Sequence, residues 1–281
     1  MDPNVIISRP SEFEAKIAAL KKSGASSLHI VTDFDKTLTQ AYVSGDRFVS
    51  SYQRIRDSGL LGDEYLSKSK ALKEKYYPIE IDTKISFELK YQKMQEWWEK
   101  HWGILVKYGM RKDMIKRLVT DKTLKLRDGI AMFFRRLMEE NIPILILSSG
   151  QGDVIKMKLK QTGLMSKNVH LIANFFEFDE NGKAIGHSTP MITSVNKNET
   201  NVKEHSYYES VKKRSNVILL GDGLGDLGMA AGLEHDEVLS IGFLNDRVDE
   251  RLEAFKKGYD VILLGDPNFK YVNDLLRDIL S

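Results

Sequence analysis

The chain has 281 residues, 42% of them apolar and 29% charged, with a formal net charge of +2 at pH 7. So small a net charge creates no global field to recruit a nucleic acid polymer or an anionic membrane. Cysteine is absent, which excludes disulfides, a thiol nucleophile and thiolate metal sites and fits a reducing compartment. No stretch has the length and apolarity of a membrane span, and no secretory signal is visible at the start. The expectation is a cytoplasmic, soluble monomer.

Pro10 to Lys22 reads as a helix with Ser11 as N-cap, Phe13, Ile17 and Leu20 on one face, and Gly24 as its end. The apolar run Leu28 to Val31 predicts a strand that breaks into Asp33 and Asp35. From about Tyr42 to Asp121 the pattern is helical. Phe87, Tyr91, Met94, Trp98, Trp102 and Leu105 form one long stripe, and Met110 to Val119 a further short helix. After Leu126 helices and apolar strands alternate. Helix Gly129 to Glu140 precedes strand Ile142 to Leu147, which ends in Ser148-Ser149-Gly150. Helix Asp153 to Thr162 leads to a β-rich run, Val169 to Phe178, closed by a hairpin turn at Asp179-Glu180-Asn181-Gly182. A helix over about Glu199 to Lys213 follows, then strand Val217 to Leu220, a helix, strand Val238 to Phe243, helix Arg247 to Lys257 and strand Val261 to Leu264. This alternation predicts an α/β fold, a Rossmann-like parallel sheet with helices on both faces and a helical insertion after the first strand. The corresponding units are a core of residues 1–41 and 122–281 and a helical insertion of residues 42–121.

Three strand ends carry polar clusters: Asp33/Asp35, Ser148/Ser149/Gly150 and Asp222/Asp226. Ligands of open α/β sheets bind outside the carboxyl ends of the strands, so neighbouring strands would bring these groups together. Asp33 and Asp35, two residues apart on extended chain, point to one side, and two anions so close call for a cation or a shared proton. Asp33, Asp35 and Asp222 are an oxygen-only donor set that suits Mg²⁺. Ser148, with the Ser149 and Gly150 N–H groups, could cradle phosphate oxygens, and Lys197 could neutralise them. Carboxylates, Mg²⁺ and a lysine together serve phosphoryl transfer through an aspartyl phosphate.

Asp33-Phe34-Asp35-Lys36-Thr37, Ser148, Lys197 and Gly221-Asp222-Gly223-Leu224-Gly225-Asp226 resemble, in order, the motifs of the haloacid dehalogenase superfamily of phosphatases. Tyr76-Tyr77-Pro78-Ile79-Glu80-Ile81-Asp82, Met94-Gln95-Glu96-Trp97-Trp98 and Leu219-Leu220-Gly221-Asp222 resemble more narrowly the cytosolic pyrimidine 5′-nucleotidases. That group includes enzymes preferring 7-methylguanosine phosphate. The resemblance implies that Asp33 is the nucleophile and Asp35 the general acid and base. It implies Mg²⁺ held by the Asp33 carboxylate, the Asp35 carbonyl and Asp222, with Asp226 behind them, and phosphate bound by Ser148, Ser149 and Lys197. It further implies a nucleoside 5′-monophosphate substrate (CMP, UMP or 7-methyl-GMP), with Glu80 accepting hydrogen bonds from the base and Trp98 stacking on it. The same resemblance makes the insertion of residues 42–121 a helical cap domain. His101 departs from the pattern, which often has a small residue there, and a bulkier group could touch or crowd the base.

Blander readings stand beside these. Asp222 and Asp226 could be turn acids, Ser148 a helix N-cap, and Lys197 and Glu80 ordinary surface charges. Trp98 lies on an apolar stripe that suits cap packing as well as stacking, and His101 reads more simply as packed or solvated than as a ligand contact. Gly223-Leu224-Gly225-Asp226-Leu227-Gly228 fits a dinucleotide fingerprint, but Asp222 and Asp226 would repel a pyrophosphate. The competing functions are a small-metabolite phosphatase, such as a phosphoserine phosphatase, and a nucleotide-binding protein without turnover.

Overall fold

A computed structural model describes residues 3–43, 46–47, 50–82, 84–120, 124–199 and 205–281. A short strand, Val5–Ile7 (β1), leads into helix Pro10–Ser23 (α1) and strand Leu28–Thr32 (β2). The next segment forms a ribbon, Tyr42–Val43 (β3) with Asp46–Arg47 (β4), then helices Ser51–Asp57 (α2), Gly62–Ile81 (α3), Phe87–Lys107 (α4) and Lys112–Thr120 (α5). Helix Ile130–Glu139 (α6), strand Ile144–Gln151 (β5), helix Gly152–Gln161 (α7) and strand Val169–Asn174 (β6) resume the alternation. The antiparallel hairpin Phe176–Phe178 (β7) and Ala184–His187 (β8) turns at Asp179–Gly182 as expected. Helix Ser206–Val211 (α8), strand Asn216–Gly221 (β9), a 3-10 helix Leu224–Ala230 and strand Glu237–Leu244 (β10) follow. Helix Val248–Gly258 (α9), strand Val261–Leu264 (β11) and helix Lys270–Ile279 (α10) close the chain.

Among the described residues the main sheet has seven strands, ordered β1-β11-β10-β9-β2-β5-β6, all parallel except the edge strand β1. β2, β9 and most of β5 are buried along their length, as strands covered on both faces must be, and their apolar runs are continuous for that reason. From β2 the chain moves outward through β5 and β6, then returns to β9 and moves the other way through β10 and β11. The order therefore reverses between β2 and β9, and a crevice opens at that switch point beyond their carboxyl ends. One apolar cluster runs from the sheet (Ile30, Ile144, Ile218) into the helical insertion (Tyr65, Met94, Trp102). No helix among the described residues is long and apolar enough to cross a membrane.

Several expectations are corrected. α1 begins at Pro10 with Arg9 as N-cap and no side-chain cap bond, so Ser11 is not the cap; proline is preorganised for the first helical position. β5 runs on through Ser148 to Gln151 instead of stopping at Leu147. The run Val169 to Phe178 is two strands broken at Phe175. The segment after Asp222 is a 3-10 helix, and α10 presents the buried face Val272, Leu275, Leu276 and Ile279 beyond the last expected strand. On α4, Phe87 (62% exposed) and Tyr91 (38%) lie outside the buried part of the stripe, which begins at Met94. The cap boundary at residues 121 and 122 and part of the Glu199 to Lys213 helix fall outside the described residues.

Candidate active site

The β2–β9 register pairs Thr32 with Leu220, so Asp33 and Gly221-Asp222 leave the sheet side by side. The Asp33 N–H extends that ladder, donating to the Leu220 carbonyl at 3.0 Å. Lys197 Nζ donates to Asp33 Oδ1 at 2.5 Å and to Asp226 Oδ1 at 2.8 Å. Asp226 Oδ2 accepts from the N–H groups of Asp222 (2.9 Å) and Gly223 (3.0 Å). Both oxygens of Asp226 are thus engaged in fixing Lys197 and the turn that carries Asp222. A Cβ on Gly221 would lie 2.4 Å from Asp226 Cβ and 2.8 Å from Tyr259 Oη, so only glycine permits this close approach.

Asp33, Asp222 and Asp226 each bring a carboxylate oxygen to within 4.8 Å of the others. Burial pushes the Asp33 carboxyl up to about 8; Lys197 opposes this, and Asp226 and Asp222 add to it. Burial also raises Asp222 to about 6, with Lys36 opposing and Asp226 adding. Burial alone would lower Lys197, but Asp226 and Asp33 hold its ammonium above the ordinary lysine range. Lys197 is therefore the firmly charged member, while burial first and the crowding of neighbouring acids second lift the two carboxyls. A divalent cation would relieve that crowding. The hard-oxygen donor set and its surplus of negative charge fit Mg²⁺.

Ser148 is buried at the end of β5, and its Oγ accepts the Gly150 N–H at 3.1 Å. With that lone pair occupied, the hydroxyl proton is left to point elsewhere. The Ser149 carbonyl accepts three hydrogen bonds: from Tyr52 Oη (2.9 Å), Trp98 Nε1 (3.1 Å) and Asn174 Nδ2 (3.0 Å). Tyr52 is on α2, Trp98 on α4 and Asn174 at the end of β6, so the helical insertion is fastened to the strand that carries Ser148. Trp102 Nε1 in turn donates to Tyr52 Oη at 2.7 Å.

A cavity of about 830 Å³ is lined by Asp33, Asp35, Ser148, Ser149, Lys197, Asp222 and Asp226 together with Glu80, Trp98 and His101. All ten candidate site residues from the sequence line it. Glu80 is half-buried, and burial raises its carboxyl against the pull of Ser194 and Lys90. Trp98 is both a cavity wall and a packing element, since its N–H is committed to Ser149. His101 is packed, not solvated: Tyr52 stands 5.1 Å away ring to ring, and Tyr65 Oη is 3.3 Å from its Nε2.

Tyr52 and Arg127 were not legible as functional. Arg127 is 2% exposed and donates to the carbonyls of Thr37 (2.8 Å), Lys36 (2.6 Å) and Pro267 (2.6 Å), to Asp266 Oδ1 (2.7 Å) and to Asn245 Oδ1 (2.7 Å). It clamps the turn after Asp35, where Lys36 has a left-handed φ of 59°. Asp266 also accepts from the N–H groups of Ala41 (2.7 Å) and Tyr42 (3.0 Å), where the chain departs into the helical insertion.

A sequence profile of the pyrimidine 5′-nucleotidase (UMPH-1) family matches residues 36–280. The chain is 38% identical over 273 residues to 7-methylguanosine phosphate-specific 5′-nucleotidase B of Xenopus laevis, spanning 97% of this chain and 94% of that protein. It is 36% identical over 281 residues to the Homo sapiens 7-methylguanosine phosphate-specific 5′-nucleotidase, spanning 100% and 94%. The crystal structure of cytosolic 5′-nucleotidase IIIB bound to cytidine superposes with a TM-score of 0.90 at 31% identity, over 99% of this chain and 94% of that one. A haloacid dehalogenase family hydrolase of Salmonella enterica serovar Typhi, 15% identical with a TM-score of 0.59, shares the fold over 96% of this chain and 81% of its own. Together with the carboxylate–lysine crevice at the β2–β9 switch point, these likenesses show that the chain belongs to the pyrimidine 5′-nucleotidase (UMPH-1) family, hydrolases of the haloacid dehalogenase fold.

Proposed function

We propose that this enzyme is a Mg²⁺-dependent, cytosolic 5′-nucleotidase that hydrolyses CMP, UMP or 7-methyl-GMP through a phosphoryl group carried on Asp33. The observation that carries the reading is the Lys197 bridge between Asp33 and Asp226, in a cavity that Glu80 and Trp98 also line. A cavity of about 830 Å³ has room for a nucleoside with its 5′-phosphate beside Lys197, and residues 42–121 would act as the cap over the base. The names of the relatives support a methylated purine, the cytidine in the solved neighbour supports a pyrimidine, and a Caenorhabditis elegans relative is named a putative cytosolic 5′-nucleotidase.

In the first half-reaction an Asp33 oxygen bonds to phosphorus as the bond from phosphorus to O5′ breaks, and Asp35 gives its proton to O5′ so that the nucleoside leaves neutral. In the second, Asp35 takes a proton from water, the water oxygen bonds to phosphorus, and the Asp33 carboxylate departs with inorganic phosphate released. Lys197 and the Ser148 hydroxyl hold the phosphoryl oxygens throughout. When bound, Mg²⁺ held by Asp33, Asp222 and the Asp35 carbonyl would neutralise charge developing on those oxygens. Asp226 positions Lys197 and the Asp222 turn.

A panel of CMP, UMP, 7-methyl-GMP and phosphoserine, with and without Mg²⁺, tests the assignment. Phosphate release from at least one nucleotide should exceed that from phosphoserine by roughly 100-fold and should disappear on removal of Mg²⁺. Equal release from phosphoserine would make the enzyme a small-metabolite phosphatase, and nucleotide binding without any release would make it a binder. Asp33→Asn is expected to abolish turnover, and Asp35→Asn to lower it by about 10²–10⁴-fold.

A further inference from the structure

A second cluster lies on the same face of β2 as Asp33, four residues back along the strand and so roughly 13 Å away. His29 on β2 and Glu199 are fully buried, and the His235 side chain is 4% exposed. One ligand atom from each lies within 4.8 Å of the others. His235 Nε2 stands 3.1 Å from Glu199 Oε2, and His29 Nε2 stands 3.6 Å from Glu199 Oε1, beyond hydrogen-bond length. The carboxylate itself is fixed. Tyr207 Oη donates to Oε1 at 3.0 Å, and the Glu199 N–H donates to the Ala231 carbonyl at 2.8 Å.

The His235–Glu199 contact accounts for only part of this. Among the described residues, both ring nitrogens of His29, and Nδ1 of His235, are buried without a hydrogen-bond partner. A fully buried imidazole with neither nitrogen partnered is costly unless something else binds it. Ligand atoms about 2.0–2.1 Å from a tetrahedral ion stand roughly 3.4 Å apart. The two imidazoles approach different oxygens of Glu199, and with one ligand atom of each residue within 4.8 Å of the others a small turn of the side chains brings the three onto one ion. Burial holds the His29 ring neutral. Burial would raise Glu199, but the two adjacent imidazoles, His235 first, outweigh it and keep the carboxylate ionised. Neutral imidazole and ionised carboxylate are the forms that ligate metals.

We propose that His29, Glu199 and His235 bind one divalent transition-metal ion, with zinc the best match to two imidazoles and one carboxylate. Three protein ligands leave a fourth position to water. Glu199 follows Lys197 by two residues and His29 precedes Asp33 by four, so the ion would brace the two segments that present the lysine and the nucleophile. The nitrogen-bearing donor set separates this site from the oxygen-only cluster at Asp33 and Asp222.

Untagged protein is stripped with a chelator, then titrated with zinc in excess Mg²⁺, and followed by elemental analysis and Tm. One zinc per chain and a rise in Tm are expected, and cobalt(II) in its place should show the visible bands of a tetrahedral nitrogen–oxygen site. His29→Gln and His235→Gln should each weaken zinc binding by at least roughly 10–100-fold, whereas Asp222→Asn should retain it. Wild-type protein that takes up no zinc and shows no change in Tm overturns the proposal. So does zinc that survives the histidine substitutions or is lost from Asp222→Asn. If His29→Gln does not fold, His235→Gln and the wild-type titration decide the matter alone.

Discussion

Lowering the pH from 7 toward 4 loads a proton onto His101 in the unfolded chain before it does so in the folded one. Burial, with the nearby Arg56 charge adding to it, pushes the folded His101 pKa down from 6.5 to about 4. A depressed basic group binds fewer protons folded than unfolded, so stability is fully present above the unfolded value and is lost as pH falls from about 6.5 to about 4. The loss attributable to this ring is about 3 kcal/mol at the acid end. Urea midpoints of wild type and His101→Gln at pH 7 and pH 4.5 check it: the wild type should lose more on acidification. Equal losses would show that other groups carry the acid sensitivity. At this scale the sequence named the carboxylates, the lysine and the serines that line the crevice because their order along the chain is itself a signal. Tyr52 and Arg127 carry no such signal. Each acts on backbone carbonyls that are 97 or 90 residues away in sequence, and a lone tyrosine or arginine looks the same whether or not such a partner exists.

Arg127 and Asp266 join three elements: the turn after β2, the loop after β11 and the entry to the helical insertion. Removing a buried charged partner leaves the other uncompensated, so Arg127→Met is expected to cost about 3–5 kcal/mol and to lower turnover by disordering the Asp35 turn. An unchanged urea midpoint would show that the clamp is redundant. Gly221→Ala should be costly for a different reason, since the added methyl must displace Asp226 or Tyr259; overpacking of this kind costs about 1–3 kcal/mol and here would also move Lys197. Elements with strong local signals were readable, β11 to the residue and the β7–β8 hairpin by its turn. β1, only three half-buried residues long, has no pattern to read, and it is a strand only because β11 pairs with it. The 3-10 helix after Asp222 is shaped by the Asp226 carboxylate reaching back to two N–H groups, a tertiary demand that helix periodicity does not encode.

For the molecule as a whole, one hydrophobic cluster spans sheet and insertion, and Trp102 packs on Phe176 of the hairpin with ring centroids 4.3 Å apart. All three tryptophans of the chain, Trp97, Trp98 and Trp102, lie on α4. Their fluorescence therefore reports the insertion, while far-ultraviolet circular dichroism reports all helices and strands. The two signals should change together on heating or in urea, as one cooperative unit does. An earlier fluorescence transition would show that the insertion melts alone. The triple acceptance at the Ser149 carbonyl carries a kinetic consequence. Swinging α2 and α4 outward would strip two donors from one peptide oxygen at once, and the peptide's other end is the Gly150 N–H that orients Ser148. An open mouth would then meet its anion with a slackened serine, and only a shut one would grip it, so admission and grip would be separate events in each catalytic cycle.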